Sequence, residues 1–534
     1  MNEIIMKSRT LPGFFLFFSP FLFTGEVNES MYEPSLAEVQ SLSADYSLIP
    51  VSLVLMADQE TPIRLYQKIR TTDSFLLESV EGGARWARYS FIGLRPFLTF
   101  EAKGSHVRIR FRSGEQVERE GNPVLILREQ VERFRSPKLP FLPRLSGGAV
   151  GFFGYNTLHY VEKLPEHRVK KLDVPDMRFL FVDEMIAFDH LKQEIRLIVH
   201  LHLDKAETTA SIEEKYQRAC QQLAELAADV SAPHQTVSHV ALSDEETQPL
   251  QIETAMTKAE FESMVEKAKA YIAAGDIFQV VLSQRFQVQT DVDPFSVYRV
   301  LRTLNPSPYM YYLQFEGQTI VGTSPELLVR VEDGKVEMRP IAGTRKRGAT
   351  AAEDARLAED LLADPKERAE HYMLLDLGRN DVGRVSEYAS VRVEHQLGIE
   401  KYSHVMHLVS HVTGRLREEL DPFDALLAAF PAGTVSGAPK LRAMEIIAEL
   451  EPEARHTYAG AIGYLTFDGA LDTCITIRTL LFQDGMAYVQ AGAGIVADSI
   501  PHLEYQETVN KAAGMLHALQ KAEQLFSRKE EHPC

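Results

Sequence analysis

The sequence predicts an α+β protein in which helices flank antiparallel β-sheets. From about residue 50 to 200, short apolar segments alternate with turns, and few helical patterns occur. In the second half, helical spacing changes to strand-like segments several times up to about residue 515. No internal repeat of about 20 to 50 residues is visible, which argues against solenoids and propellers. A chain of 534 residues exceeds one ordinary core, so two or more domains are expected.

The N-terminal segment does not share this pattern. Residues 1–49 are interpreted as an unstructured leader or a misassigned start, followed by the approach to the first domain. Met31 is the candidate first residue if the start is misassigned. The apolar run at 11–23 follows Lys7 and Arg9 and could instead be the core of a signal peptide. However, no small-x-small cleavage site follows it, and the run is too short to span a bilayer.

Residues 50–227 are predicted to form one α+β domain. Its strand-like segments include VSLVLM, SFLLES, FLTFEA and VRIRFR, and a stretch with helical spacing closes it at 205–227. The polar segment 228–253 has no periodicity, so it is predicted to be a linker.

Residues 254–520 are predicted to form a second domain, and residues 521–534 a C-terminal tail. KAEFESMVEKAKAYIAAGD has the spacing of an amphipathic helix that ends at Gly275, and the strand-like IFQVVLSQRFQV follows it. The same change from helix to strand recurs along this segment, which favours helices packed on antiparallel sheet.

Charge and cysteine content narrow the classes of function. The formal net charge is −18 and no dense run of lysine and arginine occurs, which argues against a nucleic-acid partner. An anionic substrate would therefore need local arginine, lysine or a bound cation. The three cysteines, Cys220, Cys474 and Cys534, form no CxxC pair, which excludes a disulfide framework or zinc ribbon and fits a reducing cytoplasm.

Two predicted helices each carry a pair of glutamates three residues apart. These are Glu367 with Glu370, and Glu504 with Glu507. Each pair shares a helix face, and carboxylates that converge from two helices would suit Mg²⁺. Glutamates at this spacing more commonly form a solvated helix face, so the pattern alone leaves both interpretations open.

Three glycine-containing turns offer backbone N–H groups that could bind carboxylate oxygens. They are PIAGTR at 340–345, FPAGTVSGAPK at 430–440 and QAGAG at 490–494. A helix is predicted to begin near Ala438. None of the turns matches a Walker or dinucleotide fingerprint, and an ordinary turn is the alternative for each.

Arg478 and His407 lie in apolar segments that read as strands. A buried guanidinium at position 478 needs an anionic partner or ligand, whereas a histidine in such a segment is more often structural. Tyr458 and Glu326 have no diagnostic spacing. The chain has no GxCxG nucleophile elbow, so it is not expected to make its own ammonia from glutamine.

The order of short motifs resembles that of the chorismate-utilising enzymes. The motifs are SPEL, PIAGTR, ERAEH, LGRNDVGRV, YSHVMHL, FPAGTVSGAPK, YAGAIGY, IRT, QAGAGIVADSIP and YQETVNKAAG, between about residues 258 and 515. The segment 50–200 is similar to the N-terminal domain of the anthranilate synthase large subunits. The resemblance implies antiparallel sheets packed as a sandwich with flanking helices.

The resemblance also implies roles for individual residues. Mg²⁺ would be held by Glu370 and Glu507, with Glu367 and Glu504 nearby. Glu326 would act as the general acid and His407 would remove a proton from the substrate. The remaining implied substrate-binding residues are Gly343, Thr344, Thr434, Tyr458, Arg478, Gly492, Ala493, Gly494 and Lys511.

Two positions select the reaction within the family. The water-adding members have a lysine where this chain has Gln279, and aminodeoxychorismate synthases typically have a lysine where it has Ala342. The implied activity is that of a Mg²⁺-dependent carbon–oxygen lyase. It converts chorismate and ammonia to anthranilate and pyruvate through 2-amino-2-deoxyisochorismate, the first committed step of tryptophan biosynthesis.

The implied partners are a glutamine amidotransferase small subunit that supplies ammonia, in a heterotetramer of two large and two small subunits, and L-tryptophan as feedback inhibitor. Neither nucleic acid nor membrane is expected. Tryptophan would contact LLES at 76–79, through Glu78 and Ser79, and NPSPYM at 305–310, through Pro308, Tyr309 and Met310. A structural contact between domains is the alternative for these two segments.

For the whole chain, the alternatives are component I of an aminodeoxychorismate synthase and a non-catalytic amino-acid-binding regulatory protein.

Overall fold

The computed structural model describes residues 31–79, 88–165, 167, 169, 172–204, 207–233, 249–401 and 405–526. The predicted leader 1–30, positions 234–248 of the predicted linker and the end of the tail from 527 lie outside the described residues.

Strands make up most of the fold. In chain order they are β1 (Tyr32–Glu33), β2 (Leu48–Met56), β3 (Ser74–Glu78), β4 (Tyr89–Gly93), β5 (Leu98–Lys103), β6 (His106–Phe111), β7 (Gln116–Glu120), β8 (Gly148–Phe153), β9 (Met177–Val182), β10 (Glu184–Asp189), β11 (Glu194–His202), β12 (Glu253–Thr254), β13 (Gln279–Gln289), β14 (Tyr309–Phe315), β15 (Gln318–Ser324), β16 (Leu327–Glu332), β17 (Lys335–Met338), β18 (Ile341–Lys346), β19 (Arg392–Lys401), β20 (Val405–Arg415), β21 (Gly437–Ala438), β22 (Ala461–Thr466), β23 (Leu471–Ile475), β24 (Thr479–Gln483) and β25 (Met486–Ile495).

Helices connect and cover the strands. They are α1 (Leu36–Leu42), α2 (Pro62–Ile69), α3 (Pro123–Glu132), α4 (Thr209–Ser231), α5 (Lys258–Ala274), α6 (Pro294–Leu304), α7 (Ala351–Ala363), α8 (Pro365–Val385), α9 (Pro422–Ala429), α10 (Lys440–Leu450) and α11 (Pro501–Phe526), with 3₁₀ turns at Tyr155–Tyr160 and Gly433–Val435. None of the helices in the described part of the chain is both long and apolar enough to cross a membrane.

The strands form two antiparallel sheets. The first has the order β1-β2-β11-β10-β4-β3-β14-β15-β24-β25-β13-β12, with β21 also on β13. The second has the order β18-β20-β17-β16-β23-β22-β8-β9-β5-β6-β7, with β19 also on β20. Both sheets run through the two predicted domains, because β3 pairs with β14 and β8 pairs with β22. The two domain segments therefore share their hydrogen-bonded framework.

The sheets pack face to face around an apolar layer. Phe75 and Leu481 of the first sheet meet Phe152 and Ile462 of the second in this layer. Helices α4, α6 and α11 cover the outer face of the first sheet, with Leu301 among the buried contacts. The predicted α+β sandwich with flanking helices is confirmed.

Local signals explain most helix boundaries. Helix α5 begins with a capping box between Thr257 and Glu260 and ends at Gly275, whose φ of 84° closes the last turn, as predicted. Helix α10 begins two residues after Ala438. Helix α4 starts and ends four residues later than predicted, because Thr208 caps its first turn.

The expectation that Arg478 lies within a strand was wrong. It lies between β23 and β24 with a φ of 53°, which breaks the extended backbone there. The Glu326 connection between β15 and β16 and the Arg478 connection between β23 and β24 both occur where the chain leaves one sheet for the other. The 3₁₀ turn that carries Thr434 lies between α9 and β21.

Gly151→Ala should lower the stability of the protein by about 2 kcal/mol or more. A β-carbon at Gly151 in β8 would overlap the carbonyl oxygen of Arg178 in β9, so two central strands would have to separate. The matched control is Gly514→Ala in α11, where a β-carbon meets nothing and the helix should gain about 0.5–1 kcal/mol. Thermal unfolding of both variants beside the wild type measures this, and equal midpoints for Gly151→Ala and wild type would refute the packing argument.

Candidate active site

Glu326 is enclosed at the point where the chain crosses from one sheet to the other. Its carboxylate accepts a hydrogen bond from Thr434 Oγ1 at 2.9 Å, and its carbonyl accepts one from Ile475 N at 3.0 Å. Burial raises the pKa of Glu326 to about 7, although the Thr434 bond and the charge of Lys511 oppose the shift. Near neutral pH this group can hold a proton and donate it.

His407 lies opposite Thr344 on paired strands β18 and β20. Its Nδ1 is 2.9 Å from the carbonyl oxygen of Gly343 and 3.1 Å from Thr344 Oγ1. Since a carbonyl oxygen only accepts, the ring proton belongs on Nδ1, which places the basic lone pair on Nε2. Burial lowers the pKa of His407, so the ring is neutral and able to accept a proton.

Gly343 makes this arrangement possible. It lies at an irregularity in the β18–β20 register and has a φ of 67°, which favours glycine. A β-carbon there would come within 3.0 Å of Glu367 Oε2. Glycine therefore lets the strand approach both His407 and the acidic helix α8 without backbone strain.

Cations and bare backbone lie together on the other side of the cleft. Arg478 donates to the carbonyl of Lys511 at 2.8 Å, and Lys511 Nζ donates to the carbonyl of Gly492 at 3.0 Å. A β-carbon at Gly492 would lie 2.7 Å from the hydroxyl of Tyr458. Burial raises the pKa of Tyr458 to about 12, so its hydroxyl stays neutral. The pairing of β13 with β25 continues this wall through Ala493 and Gly494.

The four predicted metal-binding glutamates converge from α8 and α11. Burial and the charge of Glu367 raise the pKa of Glu370, and Glu507 adds to the shift. Burial also raises the pKa of Glu504, again with a contribution from Glu507. Glu367 pairs with Arg345 at 3.1 Å, and Glu507 pairs with Lys511 at 2.6 Å. The cleft therefore concentrates carboxylates that repel one another.

No three histidine, cysteine, aspartate or glutamate side chains in the described ranges stand close enough to hold a metal ion by themselves. A donor set of oxygens only, with one or two carboxylates available at a time, nevertheless fits Mg²⁺, which keeps waters and binds substrate oxygens.

The predicted residues are connected through shared neighbours. Lys511 lies close enough to favour the charged forms of both Glu326 and Glu370, and Arg478 disfavours protonation of His407. The acid, the base, the cations and the carboxylates thus surround one cleft. Gln279 is buried at the start of β13, and its side-chain amide occupies the space beside Gly494.

Sequence reasoning missed two arginines that support the cleft. Arg345, although quoted within PIAGTR, also pairs with Asp360 and Asp364, and so anchors the beginning of α8. Arg455 is completely buried beside Tyr458. A charged residue two or three positions before a functional tyrosine is not a recognisable pattern, so no local signal pointed to Arg455.

A second cavity, partly open to solvent, lies between the two sheets. All five residues predicted for tryptophan line it, namely Glu78, Ser79, Pro308, Tyr309 and Met310. The opposite wall includes Tyr464, Asp472 and Cys474 of the second sheet.

The polar side chains of this cavity differ in their partners. The carboxylate of Glu78 accepts hydrogen bonds from Tyr298 at 2.7 Å and Arg302 at 2.9 Å, so its charge is balanced by protein groups. Ser79 Oγ is buried without a hydrogen-bond partner among the described residues. The cavity thus combines apolar walls with an available hydroxyl.

Comparison with known proteins shows which enzyme family this protein belongs to. A sequence profile of the chorismate binding enzyme family matches residues 80–517, so the protein is a chorismate-binding enzyme. The chain is similar to anthranilate synthase component 1 of Acetivibrio thermocellus, with 51% identity over 92% of this chain and 99% of the relative. It is 47% identical to the protein of the same name from Geobacillus stearothermophilus, over 93% and 99%. The chain belongs to the anthranilate synthase component 1 family.

One solved structure agrees with this family, and a second shares the fold. The crystal structure of anthranilate synthase component I from Streptococcus pneumoniae matches with a TM-score of 0.69 and 39% identity, over 86% of this chain and 99% of that one. The menaquinone-specific isochorismate synthase from Escherichia coli has the same fold, with a TM-score of 0.66 and 20% identity, over 91% and 98%.

Glu326→Gln should stabilise the protein increasingly as pH rises from about 4.5 to 7. The unfolded chain loses this proton near the ordinary value of 4.5, whereas the folded protein keeps it until about 7. Wild-type stability therefore falls across this window, and glutamine, which can still accept from Thr434, avoids the cost. The difference in unfolding free energy should grow from near zero to at most about 3 kcal/mol. Denaturant titrations at pH 5, 6, 7 and 8 measure it, and a difference independent of pH would contradict the burial argument.

Proposed function

We propose that this protein converts chorismate and ammonia to anthranilate, pyruvate and water. The observation that carries the proposal is that burial shifts two groups of one cleft in opposite directions, so that Glu326 can donate a proton and His407 can accept one. The family membership supports chorismate as the substrate.

The reaction divides naturally between these two groups. Ammonia adds at C2 while the C4 hydroxyl leaves as water, with the proton of Glu326 transferred to the departing oxygen. In the resulting 2-amino-2-deoxyisochorismate, His407 removes the C2 proton through Nε2 and the bond between C3 and the enolpyruvyl oxygen breaks, so the ring becomes aromatic. The departing enolpyruvate takes up a proton at its methylene carbon and becomes pyruvate. Thr434 orients the Glu326 carboxyl for the first step.

The two carboxylates of chorismate have distinct partners in this proposal. Glu370 and Glu507, with Glu367 and Glu504 nearby, would hold Mg²⁺, which would neutralise and orient the ring carboxylate. Arg478, Tyr458 and the Gly492–Gly494 backbone would bind the other carboxylate. The raised pKa values of Glu370 and Glu504 support a bound cation, because it would relieve the repulsion among these groups.

Anthranilate is favoured over other products by two side chains. Gln279 cannot act as a base toward water, and Ala342, beside Gly343, cannot form a covalent amine adduct with the ring. The proposed nitrogen source is a separate glutamine amidotransferase subunit, because this chain has no glutaminase nucleophile motif. The proposed assembly of two large and two small subunits rests on the resemblance alone. The buried positions of Cys220 and Cys474 fit a reducing cytoplasm.

The purified chain should form fluorescent anthranilate from chorismate, Mg²⁺ and ammonium at mildly alkaline pH. EDTA should abolish turnover, and glutamine should not replace ammonium. Glu326→Gln should lower kcat by about 10² to 10⁴ because the proton donor is lost.

Formation of aminodeoxychorismate instead of anthranilate would favour component I of an aminodeoxychorismate synthase. Formation of isochorismate would show that Gln279 does not exclude water. If chorismate were bound but not consumed, the non-catalytic regulatory protein would be the better assignment.

We further propose that the cavity between the sheets binds L-tryptophan as a feedback inhibitor. Pro308, Tyr309 and Met310 offer apolar contacts for an indole, and Ser79 offers a hydroxyl for the polar end. Cys474 lines the cavity, and the next residue, Ile475, donates to the carbonyl of Glu326. A shift of the cavity wall at Cys474 would therefore reach the proposed acid, Glu326, through the neighbouring residue Ile475.

Met310→Ala should weaken inhibition by tryptophan about tenfold to a hundredfold, because it removes a buried apolar contact with the ligand. The measurement is the tryptophan concentration that halves anthranilate formation. Met264→Ala is the matched control, since it truncates a buried methionine of α5 outside this cavity. Equal inhibition of both variants and the wild type would place the inhibitor elsewhere.

A further inference from the structure

We infer that Arg455 is a positioning residue that holds Thr434 and Tyr458 in place beside the substrate cleft. The inference rests on the proposed function, since these two residues are its substrate and acid contacts. Arg455 itself does not touch the reacting groups. It acts by fixing the backbone and the ring that carry them.

Among the residues that the structure describes, Arg455 is the largest fully buried side chain, with 1% of its surface exposed. Its charge is matched by Glu451, which accepts from Nε at 2.9 Å and from Nη2 at 2.6 Å. Glu451 is in turn fixed by Ser283 of β13, whose N–H and hydroxyl donate to it at 2.7 and 2.9 Å. The guanidinium is therefore held at a defined position in the protein interior.

The remaining donors of the guanidinium reach two segments of the cleft. Nη1 donates to the carbonyl of Val435 at 2.7 Å, at the end of the 3₁₀ turn whose Thr434 donates to Glu326. Nη2 donates to the carbonyl of Val281 at 2.7 Å, and Val281 pairs with Gly494 on β25. One side chain thus connects the 3₁₀ turn of Thr434 to strand β13 where it pairs with Gly494 of β25.

The face of the guanidinium contacts the tyrosine that lines the same cleft. Its central carbon lies 5.5 Å from the ring centre of Tyr458 and 4.8 Å from that of Tyr155. The backbone N–H of Tyr458 also donates to the carbonyl of Arg455 at 2.9 Å. Movement of Arg455 would therefore displace Tyr458 and Thr434 together.

The bonds require a guanidinium and not merely a positive charge. Four hydrogen bonds leave Arg455 in three directions while the ring contacts use its flat face, and a lysine ammonium has only three donors at one point. Glu451 alone would satisfy a buried charge. The two further bonds, both to segments of the cleft, are what point to positioning rather than to stability alone.

The test is a double-mutant cycle on chorismate consumption. Arg455→Lys should lower kcat/KM about tenfold to a hundredfold, and Thr434→Val should do the same by releasing the Glu326 carboxyl. If Arg455 acts through Thr434, the double variant should lose much less than the product of the two single losses. Arg178→Lys is the matched control, because it alters a buried arginine of β9 that pairs with Glu101. It should lower the unfolding temperature with kinetic constants unchanged.

Multiplicative losses, or wild-type kinetics for Arg455→Lys, would overturn the inference. If Arg455→Lys does not fold, Glu451→Gln gives a second test. Glutamine can still accept from Arg455 but holds it less firmly, so the variant should show a smaller loss with the same non-additivity toward Thr434→Val, and wild-type kinetics would again overturn the inference. If the wild type consumed chorismate but made another product, the proposed function would fail, while the cycle would still decide the role of Arg455.

Discussion

Two strand pairings between distant parts of the chain determine how the two sheets, and the side chains they carry, are arranged. The pairing of β3 with β14 and of β8 with β22 makes each sheet continuous across both halves of the sequence. Because the chain crosses between the sheets next to Glu326, one end of the sandwich collects the proposed catalytic side chains, and its interior contains the second cavity. The proposed active site and the proposed inhibitor site therefore lie on the same two sheets.

Burial is the largest cause of the pKa shifts of Glu326 and His407 in the cleft. The same loss of solvent raises the pKa of Glu326 and lowers that of His407, because in each case the charged form is the one that becomes costly. An acidic protein can still bind an anion, since Arg478 and Lys511 face the substrate side, and the glutamates of α8 and α11 lie where a cation would reverse their field. The formal net charge of the chain thus describes the protein surface better than it describes the charges inside the cleft.

Period and capping are local properties, and they predicted helices on antiparallel sheet, helix α5 and the two glutamate-bearing helices. The sandwich was predicted only through resemblance. The sequence predicted Glu326 only through resemblance, since a single carboxylate before a strand has no distinguishing pattern, and its burial depends on residues about a hundred positions away. The positive φ of Arg478 and the buried pairing of Arg455 with Glu451 were missed for the same reason. Tertiary contacts, which sequence periodicity does not encode, decided these features.

The continuity of the sheets also has a consequence during synthesis on the ribosome. When β8 emerges, its partner β22 is about three hundred residues from being made, and all six residues of β8 are buried in the finished protein. The edges of β3 and β8 are unpaired during that interval, and exposed apolar edges promote aggregation. The nascent chain therefore has a long period in which a chaperone could protect it, and truncated fragments should be poor candidates for soluble expression.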